Sequence, residues 1–224
     1  MPSITPDGTR WADWLDVPSD GDAASYEPFA NNRRSRNMTA ISMTQKTNSE
    51  PFLRDEYRSI ASIHVTVRDC SLGSILVAAT ERGVCAILLG DAPEALIGEL
   101  RDHFPEARVL QGEEDFDRLA NDVVERVEAP ARGFDVPLDV RGTDFQCNVW
   151  DALREIPAGA TASYMDVAKR IGAPTSARAV ARACASNMLA IAIPCHRVVR
   201  ADGGLSGYRW GVDRKRQLLE REAA

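Results

Sequence analysis

The sequence predicts an α+β fold, with a three-stranded antiparallel sheet and helices first and a helical domain after. Three observations carry that prediction. Ile63 to Leu89 holds three apolar runs separated by short turns. Pro93 to Val127 has apolar residues at three- and four-residue spacing. From Thr143 onward the spacing stays helical, broken only by Pro- and Gly-containing connections.

The strands come first. Ile63-His64-Val65-Thr66-Val67 alternates and is β-branched. Gly73 to Thr80 is a second strand, Glu81-Arg82-Gly83 a turn, and Val84 to Leu89 a third strand. Connections this short favour an antiparallel meander. Pro93 to Phe104 then puts Leu96, Ile97, Leu100 and Phe104 on one helical side. Phe116 to Val127 does the same with Leu119, Val123, Val124 and Val127. Pro137 to Val140 is expected to be a short strand leading out of this domain, which spans residues 62–140.

Residues 141–224 form the second expected domain. Phe145 to Ile156 aligns Phe145, Val149, Trp150, Leu153 and Ile156, and Pro157-Ala158-Gly159 ends the helix. Ser163 stands three residues before Asp166, a capping-box pattern opening a helix from Tyr164 to Ile171, closed by Gly172. Pro174-Thr175-Ser176 opens the next helix, Ala177 to Ser186. Two short helices across a tight turn make a helix-turn-helix candidate, although helical proteins without a DNA role share that spacing. A last helix runs from Asp213 to Glu222. Residues 1–61, rich in Ser, Asp, Asn, Pro and Arg, are expected to be a mostly disordered leader, with Trp11, Trp14 and Leu15 in one helical turn.

Composition narrows the class. The chain is 44% hydrophobic and 27% charged, as a soluble globular protein is. No run of about 18 apolar residues suggests a membrane span, and no secretory signal is visible. Five cysteines, odd in number and irregular in spacing, fit reduced thiols in the cytoplasm better than a disulfide scaffold. The net charge of −6 hides an asymmetry, because residues 141–224 carry 13 Lys and Arg against 8 Asp and Glu, a net of +5. A basic face of that kind suits phosphates, although charge also differs between domains by chance.

Cys195 and His196 are the residues that carry chemistry. A thiol needs a nearby base to become the thiolate nucleophile. Neighbours in extended chain point to opposite sides, so a working pair has to come from the fold. A buried inert cysteine and a metal ligand are the other readings. Three histidines (His64, His103, His196) and no close cysteine pair argue against zinc. The helix from Ala177 carries Arg178 and Arg182 among Ala179, Ala181, Ala183 and Ala185. It reads either as a helix that lies close against a surface or as an Ala-rich core helix with two solvated arginines.

Ile193-Pro194-Cys195-His196-Arg197-Val198-Val199 resembles the active-site motif of the O6-alkylguanine-DNA alkyltransferases. Arg178-Ala179-Val180, Asn187, Ser206-Gly207-Tyr208 and Leu218-Leu219-Glu220-Arg221-Glu222 fall at that family's spacing. The resemblance covers about residues 62–224 and is most specific over 143–222. Cys70-Ser71-Leu72-Gly73 and Gly90-Asp91 are similar to the Ada-type group within it.

The resemblance implies a ribonuclease H-like first domain and a winged helix-turn-helix-like second one. It implies repair of O6-alkylguanine, with O4-methylthymine as a second candidate substrate, by transfer of the alkyl group to Cys195. The protein would bind double-stranded DNA through the minor groove and flip the nucleotide. Tyr164 would rotate the 3′ phosphate and donate to guanine N3. Arg178 would fill the vacated stack, with Arg182 and the small Ala179 and Ala183 on the recognition helix against DNA. The carbonyls of Cys195 and Val198 would accept from the guanine amino group, and Tyr208 would donate toward O6. Arg209 replaces a small residue of the wider family, as in Ada-type proteins, and bears on pocket width. His196, oriented by Glu222, would deprotonate Cys195 through a water, and Asn187 would brace the active-site turn.

A thioether is a poor leaving group, so the protein is expected to act once, with neither cofactor nor metal, as a cytoplasmic monomer that joins the nucleoid on binding DNA. Three rival readings compete with this one. A non-catalytic lesion-binding relative would lack the acceptor thiol, whereas Cys195 is present. An Ada-type regulator needs a cysteine-rich zinc domain, and residues 1–61 hold no cysteine. A cysteine hydrolase would turn over.

Overall fold

The computed structural model describes residues 60–112, 114–129 and 136–223. Residues 1–59 of the leader, with the expected turn at Trp11, Trp14 and Leu15, lie outside the described residues, whereas Ile60, expected in the leader, is buried in the core.

The fold is a mixed α/β structure. Strands β1 (Ser62–Cys70), β2 (Gly73–Thr80) and β3 (Gly83–Gly90) form the expected meander. Their connections are tight because Gly73 and Gly83 take positive φ, and a Cβ at either would sit 2.6 Å from a carbonyl oxygen. Helices α1 (Pro93–His103) and α2 (Glu114–Glu128) cover the sheet through Leu96, Leu100, Phe116, Leu119 and Val123, all buried. Most of β2 and β3 is buried too, as a strand with cover on both faces must be.

The sheet is four-stranded, which corrects the expected three. β4 (Arg108–Gln111) pairs in parallel with β1, giving the order β3-β2-β1-β4. Four residues with both ends exposed carry no alternation long enough to read as a strand. The expected strand at Pro137 to Val140 is also corrected. It makes one isolated bridge, Leu138 to Val84.

The remaining helices are α3 (Asp144–Arg154), α4 (Tyr164–Arg170), α5 (Ala177–Ala185) and α6 (Val212–Glu222). Two complete capping boxes start α3 and α4. Thr143 and Gln146 satisfy each other's backbone N–H, as do Ser163 and Asp166. Just before α4, the two-residue strand β5 (Ala162–Ser163) pairs in parallel with β6 (Val198–Val199). That pairing brings the start of α4 beside the turn containing Cys195.

β3 is an edge strand, and the edge is covered by the segment leading out of the sheet half and by the helical half. Val84 exchanges backbone hydrogen bonds with Pro137 and Asp139. Ile87 donates to Met188 O at 2.8 Å and accepts from Ala190 N at 3.0 Å. The chain just before Cys195 is thereby held against the sheet, which also protects the edge from stray pairing.

Among the described residues, no helix is long and apolar enough to cross a membrane.

Candidate active site

Cys195 opens a short 3-10 turn, Cys195–Arg197, directly before β6. The segment leading into it is tightly bent. Ile191, a β-branched residue, has φ +70°, and Ala192 N donates to Ala190 O at 2.7 Å. This is an uncommon conformation for such a side chain, held by the bonds to Ile87 on one side and by Asn187 on the other.

Asn187 is fully buried and saturated with partners. Its Nδ2 donates to Ile193 O at 2.9 Å, to Leu189 O at 3.3 Å and to Cys195 Sγ at 3.2 Å. Its Oδ1 accepts from Leu189 N at 2.9 Å. Helix-end capping is not its role, since Ser186 is the C-cap residue of α5.

His196 is fully buried, and its Nε2 lies 2.8 Å from Glu222 Oε1. Burial pushes the Glu222 carboxyl up, but hydrogen bonds from His196 and Arg197 prevail and hold it at about 2. An ionised carboxylate only accepts, so Nε2 carries the proton and Nδ1 offers a lone pair. Nδ1 is buried and has no hydrogen-bond partner among the described residues. Burial lowers the His196 pKa despite Glu222, so the ring is neutral near pH 7. Arg197 grips both oxygens of Glu222, with Nε at 3.1 Å from each and Nη2 at 2.8 Å from Oε1, and its Nη1 donates to Ile156 O.

The thiol itself is 4% exposed. Burial raises its pKa to about 11, against the pull of the Asn187 hydrogen bond and the Lys215 charge. Left alone it is protonated, and ionisation requires a base or a nearby cation.

Lys215 is the residue that sequence reasoning missed. It is fully buried on α6, and its Nζ donates to Val198 O at 2.5 Å and Ser206 Oγ at 3.1 Å. Ser206 in turn lies 2.6 Å from the Tyr164 hydroxyl. In sequence Arg214-Lys215-Arg216 looks like a solvated basic run. The available signal was spacing, because Lys215, Leu218 and Glu222 share one helical face. Arg197, the clamp on Glu222, likewise stands out in sequence only as part of the motif.

The other expected residues divide. The Tyr208 hydroxyl is buried without a hydrogen-bond partner among the described residues, and its ring meets that of His196 edge-on, centroids 6.4 Å apart. The carbonyls of Cys195 and Val198 each already accept one bond, from Val198 N and Lys215 Nζ, which leaves one lone pair apiece. Arg178 and Arg182 are exposed on α5 and Ala179 is half-buried. Ala183 corrects the expectation of a DNA-facing side chain. It is 2% exposed, beside the carbonyl that Trp150 Nε1 reaches at 2.9 Å, so its small size serves the packing of α5 on α3. Arg209 is corrected as well. Its guanidinium is committed to Glu99, at 2.8 and 2.6 Å, and to Ala185 O at 2.9 Å, so pocket width is not set by a free arginine.

Residues 144–224 match the family model of the 6-O-methylguanine DNA methyltransferase DNA-binding domain. The chain is 53% identical to the bifunctional transcriptional activator/DNA repair enzyme Ada of Escherichia coli over 162 residues, which is 72% of this chain and 46% of that protein. It thus spans about half the length of that relative. It is 36% identical to a methylated-DNA–protein-cysteine methyltransferase of Methanosarcina acetivorans, covering 72% of this chain and 99% of the relative. A crystal structure of Mycobacterium tuberculosis OGT in complex with DNA is similar at a TM-score of 0.60 and 37% identity, covering 71% of this chain and 92% of that one.

Proposed function

The chain belongs to the methylated-DNA–protein-cysteine methyltransferase family, and on that premise we propose that it repairs O6-alkylguanine in DNA by taking the alkyl group onto Cys195. The observation that carries this is the arrangement around the sulfur. Asn187 holds Sγ at 3.2 Å, and the next residue is a neutral imidazole whose far nitrogen is tied to an ionised Glu222.

His196 Nδ1 takes the thiol proton through a water, and the Glu222 carboxylate, held in place by Arg197, stabilises the imidazolium that results. The Lys215 charge and the Asn187 donor favour the thiolate over the thiol. The sulfur lone pair attacks the alkyl carbon, the S–C bond forms, and the C–O6 bond breaks with its electrons moving onto the guanine. Tyr208 stands to donate toward O6 and is kept protonated by burial, which raises its pKa well above the ordinary phenol value. A thioether remains, and nothing in the site displaces it, so each molecule acts once.

The base reaches this pocket only if it leaves the stack. Arg178 and Arg182, exposed on α5, support a role for that helix against duplex DNA in the minor groove, with Arg178 filling the gap and Tyr164 at the 3′ phosphate. We read the helical half, residues 141–224, as winged helix-turn-helix-like and the sheet half, residues 62–140, as ribonuclease H-like. The parallel β4 beside β1 supports the second reading. A monomer acting in the cytoplasm completes the proposal.

The test is stoichiometry with localisation. Protein incubated with excess O6-methylguanine duplex is expected to accept at most one methyl group, found by peptide mass spectrometry on Cys195. A methyl on another cysteine, or turnover above one, overturns the mechanism.

A further inference from the structure

The pocket loop from Ser206 to Gly211 has no regular secondary structure, yet it must hold Tyr208 against the reacting atoms. Tyr208 does not hold itself by polar contacts. Its hydroxyl has no partner among the described residues, and its ring rests edge-on against Trp210, centroids 5.1 Å apart at 73°. The loop backbone is instead gripped from both sides by arginines anchored on the sheet half.

Arg209 bridges from the loop to Glu99 on α1 and to the C-terminal carbonyl of α5 at Ala185. Arg214, one helical turn after the loop, donates through Nη1 to Trp210 O at 2.9 Å and through Nε to Leu72 O at 2.7 Å. Its Nη2 meets Asp91. Gly73 makes room for this, since a Cβ there would stand 3.1 Å from that Nη2. Leu72-Gly73 and Gly90-Asp91, two motifs that play no part around the sulfur, thus form the receptor for Arg214.

We propose that Arg209 and Arg214 are positioning residues, through which the sheet half holds Tyr208 at the distance alkyl transfer requires. The proposal rests on the reading that Tyr208 meets the flipped guanine. Stability is a poor explanation for the arrangement. The Asp91 side chain is 92% exposed, and an ion pair that open contributes little. The Arg214 fork, by contrast, is 16% exposed and spans acceptors on three separate segments, which confers geometry more than energy.

The experiment compares Arg214→Gln and Glu99→Gln with the unaltered chain in single-turnover reactions on O6-methylguanine duplex. Misplacement of a group that acts on the transition state lowers the limiting transfer rate, here by about tenfold for R214Q and about threefold for E99Q. The half-saturating DNA concentration and the rate at which iodoacetamide labels Cys195 should both stay within about twofold, because duplex DNA is held mainly through α5 and the thiol is ionised by His196, Asn187 and Lys215. E99Q, changed at a partly exposed site, keeps the test open if R214Q folds poorly. Limiting rates within about twofold of the unaltered chain overturn the proposal. So does a parallel fall in iodoacetamide labelling, which would mean that the arginines only support packing. Failure of the unaltered chain to accept a methyl on Cys195 would instead sink the functional reading itself.

Discussion

At the scale of single residues, the proposed chemistry depends on a neutral histidine bonded to a carboxylate and adjacent in sequence to the thiol. Burial depresses the His196 pKa below its ordinary 6.5, and hydrogen bonds depress Glu222 from 4.5 to about 2. Both groups bind fewer protons folded than unfolded, so both make stability rise with pH. The His196 contribution is lost as pH falls below 6.5, and that of Glu222 as pH falls from 4.5 toward 2. Urea midpoints are therefore expected to be level between about pH 7 and 8, to drop in two stages on acidification, and to fall again above about pH 9, where the unfolded thiols ionise before the buried ones. The transfer rate should fall with the first stage. A midpoint that rises on acidification, or a rate indifferent to pH below 6, would contradict this assignment of protons.

At the scale of elements, α5 combines an inward face of Val180, Ala183 and Cys184 with an outward face bearing Arg178 and Arg182. If Arg178 fills the stack, it offsets an unstacking cost of a few kcal/mol, and its loss matters only for duplex substrate. Arg178→Ala is expected to slow duplex repair by about tenfold or more while leaving reaction with free O6-benzylguanine nearly unchanged. Equal losses on both substrates would remove the finger role. Local pattern exposed much of this level in advance. The Ser163 capping box and the spacing of α3 to α6 were legible because caps and amphipathic faces are local signals. β4, β5 and β6 were not, since strands of four and two residues owe their pairing to distant partners. Ala183 was misassigned because alanine reads the same against a groove as against Trp150.

At the scale of the whole molecule, Cys195 sits where two halves meet. The turn before Cys195 is bonded to the β3 edge, and its sulfur touches Asn187 in a site with almost no exposure. A methyl group added there overfills a packed site, and overpacking typically costs about 1–3 kcal/mol. The alkylated protein is expected to melt a few degrees below the free form, read by calorimetry. An unchanged or raised Tm would show that the site has room in reserve.

The sequence alone determined the family of this protein and the chemistry proposed for it. The heptad around Cys195, with Asn187, Tyr208 and Glu222 at the family's spacing, pointed to the proposed nucleophile, its base and the base's orienter through resemblance, because those residue types recur at that spacing. What only the tertiary structure decided is who stands beside the sulfur and what holds the pocket. Lys215 reached Val198 from a helix whose sequence reads as solvated, and Arg209 and Arg214 reached the sheet half across 110 to 142 positions. Such contacts join segments far apart in the chain, so no local pattern encodes them. They exist only once the buried faces of both halves have packed and the long side chains are left with one set of acceptors.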